Sequence, residues 1–167
     1  MSREEAYTEY AAVTWPRLVR AALLLGCPLP DAEDLVQNTL VKVYVRWNKI
    51  SRLDHPNAYV HRILVNTFLS DRKRAWHGEL PVPEFPEQVA SAEVHHVESA
   101  DAVRRVLAVL PVDQRAVVVL RHYLGLSEAQ AAEALGIAPG TVKSRLSRAM
   151  KTLRTDPAVR SLEGIHD

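Results

Sequence analysis

Cysteine is almost absent: Cys27 is the only one in 167 residues. That excludes an internal disulfide framework and any zinc site built on cysteines alone. Cys27 reads as a small hydrophobe near a helix end, with a redox-sensing thiol as the alternative. Glycine is scarce too, at six residues, and no glycine-rich loop is present to cradle a nucleotide. No apolar run approaches the ~20 residues of a membrane span. The opening MSREEAYTEYAAV lacks the basic-then-apolar pattern of a signal peptide, so a cytoplasmic chain with no membrane role is expected. Charge of one sign is not in excess either. With 21 Lys and Arg against 20 Asp and Glu, the net +1 says little about partners, and the distribution must say more.

What is there is concentrated between Leu126 and Arg154, LSEAQAAEALGIAPGTVKSRLSRAMKTLR. Ser127 with Gln130 forms a capping-box signature for a helix ending at Leu135. Gly136 is placed to end it in a left-handed conformation. Pro139, Gly140 and Thr141 punctuate the start of a second helix, with Thr141 as the expected cap. In that helix Val142, Leu146, Ala149 and Leu153 form one apolar stripe. The opposite face carries Lys143, Ser144, Ser147, Arg148 and Lys151. From Thr141 to Arg154 there are five Lys or Arg and no acid. A short helix, a glycine turn and a narrow basic helix meet the needs of a helix-turn-helix reader of the major groove. Arginine bridges guanine O6 and N7, and Lys and Thr hold phosphates. The bland alternative is a solvated helix whose cations suit the helix dipole.

RHYLGLSEAQAAEALGIAPGTVKSRLSRAMKTLR resembles region four of bacterial sigma factors of the extracytoplasmic-function subgroup. By that resemblance the second helix reads the minus-35 promoter element as duplex DNA. Lys143, Ser144, Ser147 and Arg148 would face base edges, and Thr141 and Arg145 the phosphates.

The N-terminal half is also helical by pattern. One helix runs from about residue 3 to 25, broken by Gly26, Pro28 and Pro30. Asp31 is the expected cap of the next, DAEDLVQNTLVKVYVRW, which buries Ala32, Leu35, Val36, Thr39, Leu40, Val43 and Trp47. Asp34, Gln37, Asn38 and Val41 lie on its other side. A third helix, NAYVHRILVNTFLSDRKRAW, buries Tyr59, Val60, Ile63, Leu64, Thr67 and Phe68. His61, Arg62, Asn66, Ser70 and the cluster Arg72, Lys73, Arg74 form its polar remainder. Amides and cations beside aromatics suit single-stranded DNA, and a basic helix end decorated for the dipole is the competing reading. WPRLVRAALLL, DAEDLVQNTLVKVYVRWNKI and NAYVHRILVNTFLSDRKR, in that order, are similar to region two of the same subgroup, in particular its actinobacterial sigma-E family of short factors. The resemblance implies that Asp34, Gln37 and Asn38 meet the beta-prime clamp helices of core RNA polymerase. It implies that Arg62, Asn66, Ser70, Arg72 and Lys73 hold the melted minus-10 strand, with residues 49–54 around a flipped base.

Residues 78–99 contain Pro81, Pro83 and Pro86, and from Glu79 through Asp101 there are six acids and no Lys or Arg. This reads as an extended acidic linker. By resemblance it threads the RNA-exit path of the polymerase. His95 and His96 are neighbours, and two ligands do not complete a metal site. From Asp101 a helix leads to Pro111, where Asp113 and Gln114 mark a restart. LPVDQRAVVVLRHY resembles the segment that meets the beta flap.

The expectation is therefore all-α: region two over 1–77, linker 78–99, region four over 100–155 and a loose tail over 156–167. No nucleophile–base pair, cofactor loop or metal cluster supports catalysis, so a non-enzymatic sigma factor without cofactor or metal is expected, monomeric when free and open to control by an anti-sigma partner. The alternative is a stand-alone helix-turn-helix regulator, dimeric on a palindrome.

Overall fold

The computed structural model describes residues 1–76, 94–157 and 159–160. Among them the regular structure is helical, without a strand. The chain divides into two compact units, one built from α1 to α4 and the other from α5 to α8.

In the first unit α1 spans Arg3–Leu24, α2 Leu29–Val45, α3 Trp47–Ile50 and α4 Pro56–Trp76. The stripe expected for α2 is the one that is buried, Ala32, Leu35, Val36, Thr39, Leu40 and Val43. Thr39 fits because its hydroxyl donates to the Leu35 carbonyl at 2.8 Å, so no polar atom is left unpaired. Thr67 does the same to Ile63 at 2.7 Å. Leu18 and Ala22 of α1 and Val60, Leu64 and Phe68 of α4 complete the core. Trp47 begins the separate turn α3 instead of ending α2, and it is buried against the rings of Tyr7 and Tyr10 at 5.7 and 5.0 Å.

Three expectations fail here for physical reasons. Asp31 does not cap α2. The helix begins at Leu29 after extended Pro28, and a proline at the second helical position costs no hydrogen bond because that N–H has no partner in a helix. Asp31 still lies in the first turn, where the dipole favours an acid. Tyr59 is only half-buried. His61, assigned to the polar face of α4, is buried. Helix α4 is covered over an arc wider than one stripe: Val60, His61, Ile63, Leu64 and Val65 are all inside. Neither imidazole nitrogen of His61 has a hydrogen-bond partner. Burial, and then the nearby Arg17 charge, lower its pKa to about 4.

The second unit runs α5 Val94–Ala108, α6 Val112–Val118, a π-helical turn Val119–Tyr123, α7 Glu128–Leu135 and α8 Pro139–Thr155. Helix α5 starts well before Asp101, so residues 94–99 of the expected linker are helical, His95 and His96 among them. The rest of that linker lies outside the described residues, as does most of the expected tail. The helix restart at Pro111 is present, with Pro111 as the cap residue of α6. Leu107, Leu110, Val117, Leu120 and Leu124 form a core on which α7 and α8 rest. Small residues on α7, Ala131, Ala132 and Ala134, are buried and allow its backbone to lie close to its neighbours. Val142, fully buried on α8, contributes about 1.5–3 kcal/mol by leaving water.

Candidate nucleic-acid interface

Helices α7 and α8 make the turn that the sequence signals. The Gln130 N–H donates to Ser127 Oγ at 3.0 Å, and the Ser127 N–H donates to Gln130 Oε1 at 2.9 Å, closing the capping box. Gly136 ends α7 at φ 65°, the left-handed region that other residues enter only with strain. The start of α8 differs from expectation. Ala138 is the cap residue, Pro139 opens the helix, and Thr141 is already inside the first turn, its N–H bonded to the Ala138 carbonyl at 2.9 Å. Proline with its φ preset starts the helix three residues earlier than a threonine cap would.

Val142, Ala149 and Leu153 face the core, with Leu146 half-buried. On the other side Lys143, Ser147, Arg148 and Lys151 are exposed. Ser144 is half-buried and turns its hydroxyl back to the Thr141 carbonyl at 3.1 Å. The arc from Lys143 through Ser147 to Lys151 is therefore cationic and sterically slim, which a groove-entering helix requires. Arg145 is not on that arc. It is half-buried, and its Nε lies 3.6 Å from Asp113 Oδ2 on α6.

In the first unit α4 carries Arg62, Asn66, Ser70 and Lys73 at three- and four-residue steps, which aligns them along one face. Asn66, Ser70 and Lys73 are exposed, and Arg62 is half-buried. Arg72 lies about a third of a turn away and stacks over Phe68 at 5.6 Å, so the structure does not bring it to that line. Tyr59 continues the line towards the start of α4. Its hydroxyl accepts from Arg46 Nη1 at 3.1 Å, and Lys49 Nζ lies 6.0 Å from its ring centre. This aromatic with two cations was not foreseen, because hydrophobic spacing had assigned Tyr59 to the core. Lys49 and Ile50 belong to α3, and only residues after them form the turn leading to α4.

Asp34, Gln37 and Asn38 are exposed on α2. The same side carries Val41 and Val45, which are 62% and 72% exposed. Two valines one helical turn apart in water, beside three polar side chains, have the make-up of a protein-docking face. Val45 was missed, although its four-residue step from Val41 was legible.

Comparison with known proteins decides what these faces belong to. The family description Sigma-70 region 2 matches residues 15–78, and Sigma-70, region 4 matches residues 100–153. The RNA polymerase sigma-E factor of Streptomyces coelicolor is 36% identical over 162 residues, covering 94% of this chain and 89% of that one. The ECF RNA polymerase sigma factor SigL of Mycobacterium tuberculosis is 36% identical over 153 residues, covering 89% and 84%. The chain belongs to the extracytoplasmic-function sigma factors of RNA polymerase. Among solved structures, the sigma factor RpoE bound to the anti-sigma factor NepR from Bartonella quintana is similar, with a TM-score of 0.68 and 30% identity over 90% of this chain and 95% of that one. CnrH in complex with the cytosolic domain of CnrY shares the fold at a TM-score of 0.64 and 24% identity, over 90% and 86%. The region 2 match runs from within α1 through α4, and the region 4 match from within α5 into α8. Two unlike regions matched in sequence order do not favour the stand-alone dimeric regulator. Among the described residues no helix is long and apolar enough to cross a membrane.

Proposed function

We propose that this sigma factor assigns its tasks to three faces. The exposed side of α2, with Asp34, Gln37, Asn38, Val41 and Val45, binds the clamp helices of core RNA polymerase in the cytoplasm. Helix α8 docks in the major groove of the minus-35 element. There Lys143, Ser147 and Arg148 reach bases, joined by Ser144 once its hydroxyl leaves the Thr141 carbonyl, while Thr141 holds phosphate. The line Arg62, Asn66, Ser70 and Lys73 on α4 holds the displaced minus-10 strand. Such a strand offers unpaired edges to amides and hydroxyls and a backbone to cations. Flipping a base from the stack costs a few kcal/mol, offset by contacts that exist only after opening.

The observation that carries this reading is the pairing of the two matched regions with solvent-facing surfaces of different chemistry. One is cationic and slim, the other sets one amide and one hydroxyl between two cations, beside Tyr59 and Lys49. The factor performs no bond chemistry of its own: it lowers the cost of promoter location and opening by positioning the polymerase. The complex of RpoE with the anti-sigma factor NepR supports control of this chain by a separate anti-sigma protein.

Permanganate reactivity of thymines around the start site tests the division of labour. With holoenzyme assembled from the wild-type factor, the minus-10 thymines become reactive. Arg148→Ala weakens occupancy of the whole promoter and relaxes specificity at one minus-35 base pair, so that changing that pair lowers occupancy with wild type and lowers it no further with the variant. Asn66→Ala leaves occupancy and loses reactivity. Equal loss of occupancy and of reactivity in both variants would overturn the assignment.

A further inference from the structure

The pair Asp113–Arg145 joins the first turn of α6 to the middle of α8. Resting on the reading of α8 as the duplex-binding helix, we propose that Asp113 is a built-in phosphate mimic. It occupies Arg145 when no DNA is bound, and so restrains binding to DNA of the wrong sequence.

The geometry argues for an electrostatic part over a structural one. Arg145 Nε stands 3.6 Å from Asp113 Oδ2, longer than a formed hydrogen bond. Both side chains reach solvent, Asp113 at 54% and Arg145 at 27% exposure. Exposed pairs of this kind add little to stability. The helix packing is secured without them, since α6 packs on α8 and Val117 on the one and Val142 on the other are each fully buried. The second Asp113 oxygen, Oδ1, accepts from the Gln114 N–H at 2.9 Å, which anchors the carboxylate at the helix start. A fixed acid is thereby held beside the one α8 guanidinium that lies off the base-reading arc. Arg145 is the cation there that would serve the backbone, and backbone contacts supply the sequence-independent part of affinity. While Asp113 neutralises it, a duplex of any sequence gains less. A duplex that lets α8 enter the groove in register brings a phosphate close enough to displace the carboxylate. Asp113 is then a specificity-determining residue that never touches a base.

The test is fluorescence anisotropy of the full chain with a scrambled duplex and with a minus-35 duplex, at several salt concentrations. The variants are Asp113→Asn, Asp113→Glu, Arg145→Gln and the double Asp113→Asn/Arg145→Gln, with helicity checked by circular dichroism. Asp113→Asn is expected to raise affinity for the scrambled duplex several-fold. It should also steepen the slope of log affinity against log salt by about 0.9, one additional phosphate contact. Asp113→Glu keeps the charge and stays near wild type. The gain vanishes when Arg145 is also replaced. Two results overturn the proposal: unchanged or weakened binding by Asp113→Asn, or a gain that survives in the double variant. Arg148→Ala serves as the separate control on α8 itself. If it leaves preference for the minus-35 duplex intact, the underlying reading of α8 fails, whatever Asp113 does.

Discussion

Regions 2 and 4 are both proposed to meet DNA, yet they are built on opposite chemical plans. Region 4 presents one helix, α8, whose apolar stripe and cationic arc are separated cleanly around the axis. Its caps and turn are local devices, each within a few residues. Region 2 presents a composite in which α3, the turn after it and α4 contribute to one surface. Its central helix is buried over so wide an arc that even His61 is inside. A duplex is a regular polyanion, so a slim basic helix suffices to meet it. An opened strand has no regular shape, and holding it takes amides, an aromatic and scattered cations on a rigid core. The first plan writes itself into charge and spacing, and the second does not.

The largest expected effect separates the regions as folding units. Val142→Asp places a carboxylate in the region 4 core, an uncompensated burial costing several kcal/mol, enough to unfold that unit. All three tryptophans, Trp15, Trp47 and Trp76, precede region 4. Helicity by circular dichroism should fall while the urea midpoint of tryptophan fluorescence stays in place. A fluorescence midpoint that falls with the helicity would show that the regions fold as one.

His61 sharpens the contrast from the other side. Its pKa in the folded state is about 4 against an ordinary 6.5, so below pH 6.5 the unfolded chain takes up a proton that the folded chain refuses. Region 2 therefore keeps its full stability above pH 6.5 and loses it as pH falls towards 4. At pH 5 the loss is about 2 kcal/mol. Fluorescence-detected urea unfolding at pH 7 and pH 5 reads this directly, and His61→Leu should flatten the dependence. A variant with the same pH slope as wild type would move the effect to other groups.

Arg148→Ala is expected to cost about 1–3 kcal/mol in minus-35 recognition, confined to one base position. Smallest is Ser127→Ala, which removes the side-chain half of the capping box and should destabilise region 4 by about 1 kcal/mol without touching the cationic arc of α8. Thermal unfolding followed by circular dichroism at 222 nm checks it, with fluorescence again as the silent channel.

How much of this was legible in the sequence follows the same division. The capping box at Ser127, the left-handed Gly136 and the stripe through Val142, Ala149 and Leu153 were readable because each depends only on neighbours in the chain. The α2 stripe was readable for the same reason, down to buried Thr39. The errors fell where local signals compete or where tertiary packing decides. Proline preset two helix starts that Asp31 and Thr141 had been expected to cap. The burial of His61 and the half-exposure of Tyr59 depend on what covers α4, which periodicity cannot tell. The setting of Arg145 beside Asp113 needs two residues 32 apart in the chain to meet, and Arg72 was grouped with Lys73 by sequence although the helix turns them to different sides. The functional roles came from the resemblance of two ordered regions, since neither an amide on α4 nor a carboxylate on α2 announces a partner.

Everything proposed for regions 2 and 4 depends on the exposed side of α2 bringing them to RNA polymerase. Multi-round transcription with sigma-free core polymerase on genomic DNA fragments tests it most directly. Wild-type factor should produce discrete start sites that share two upstream elements, and the Asp34→Ala/Gln37→Ala variant should lose them while remaining folded. Start sites undiminished in that variant would contradict the account of α2, and an absence of start sites with the wild-type factor would contradict the account as a whole.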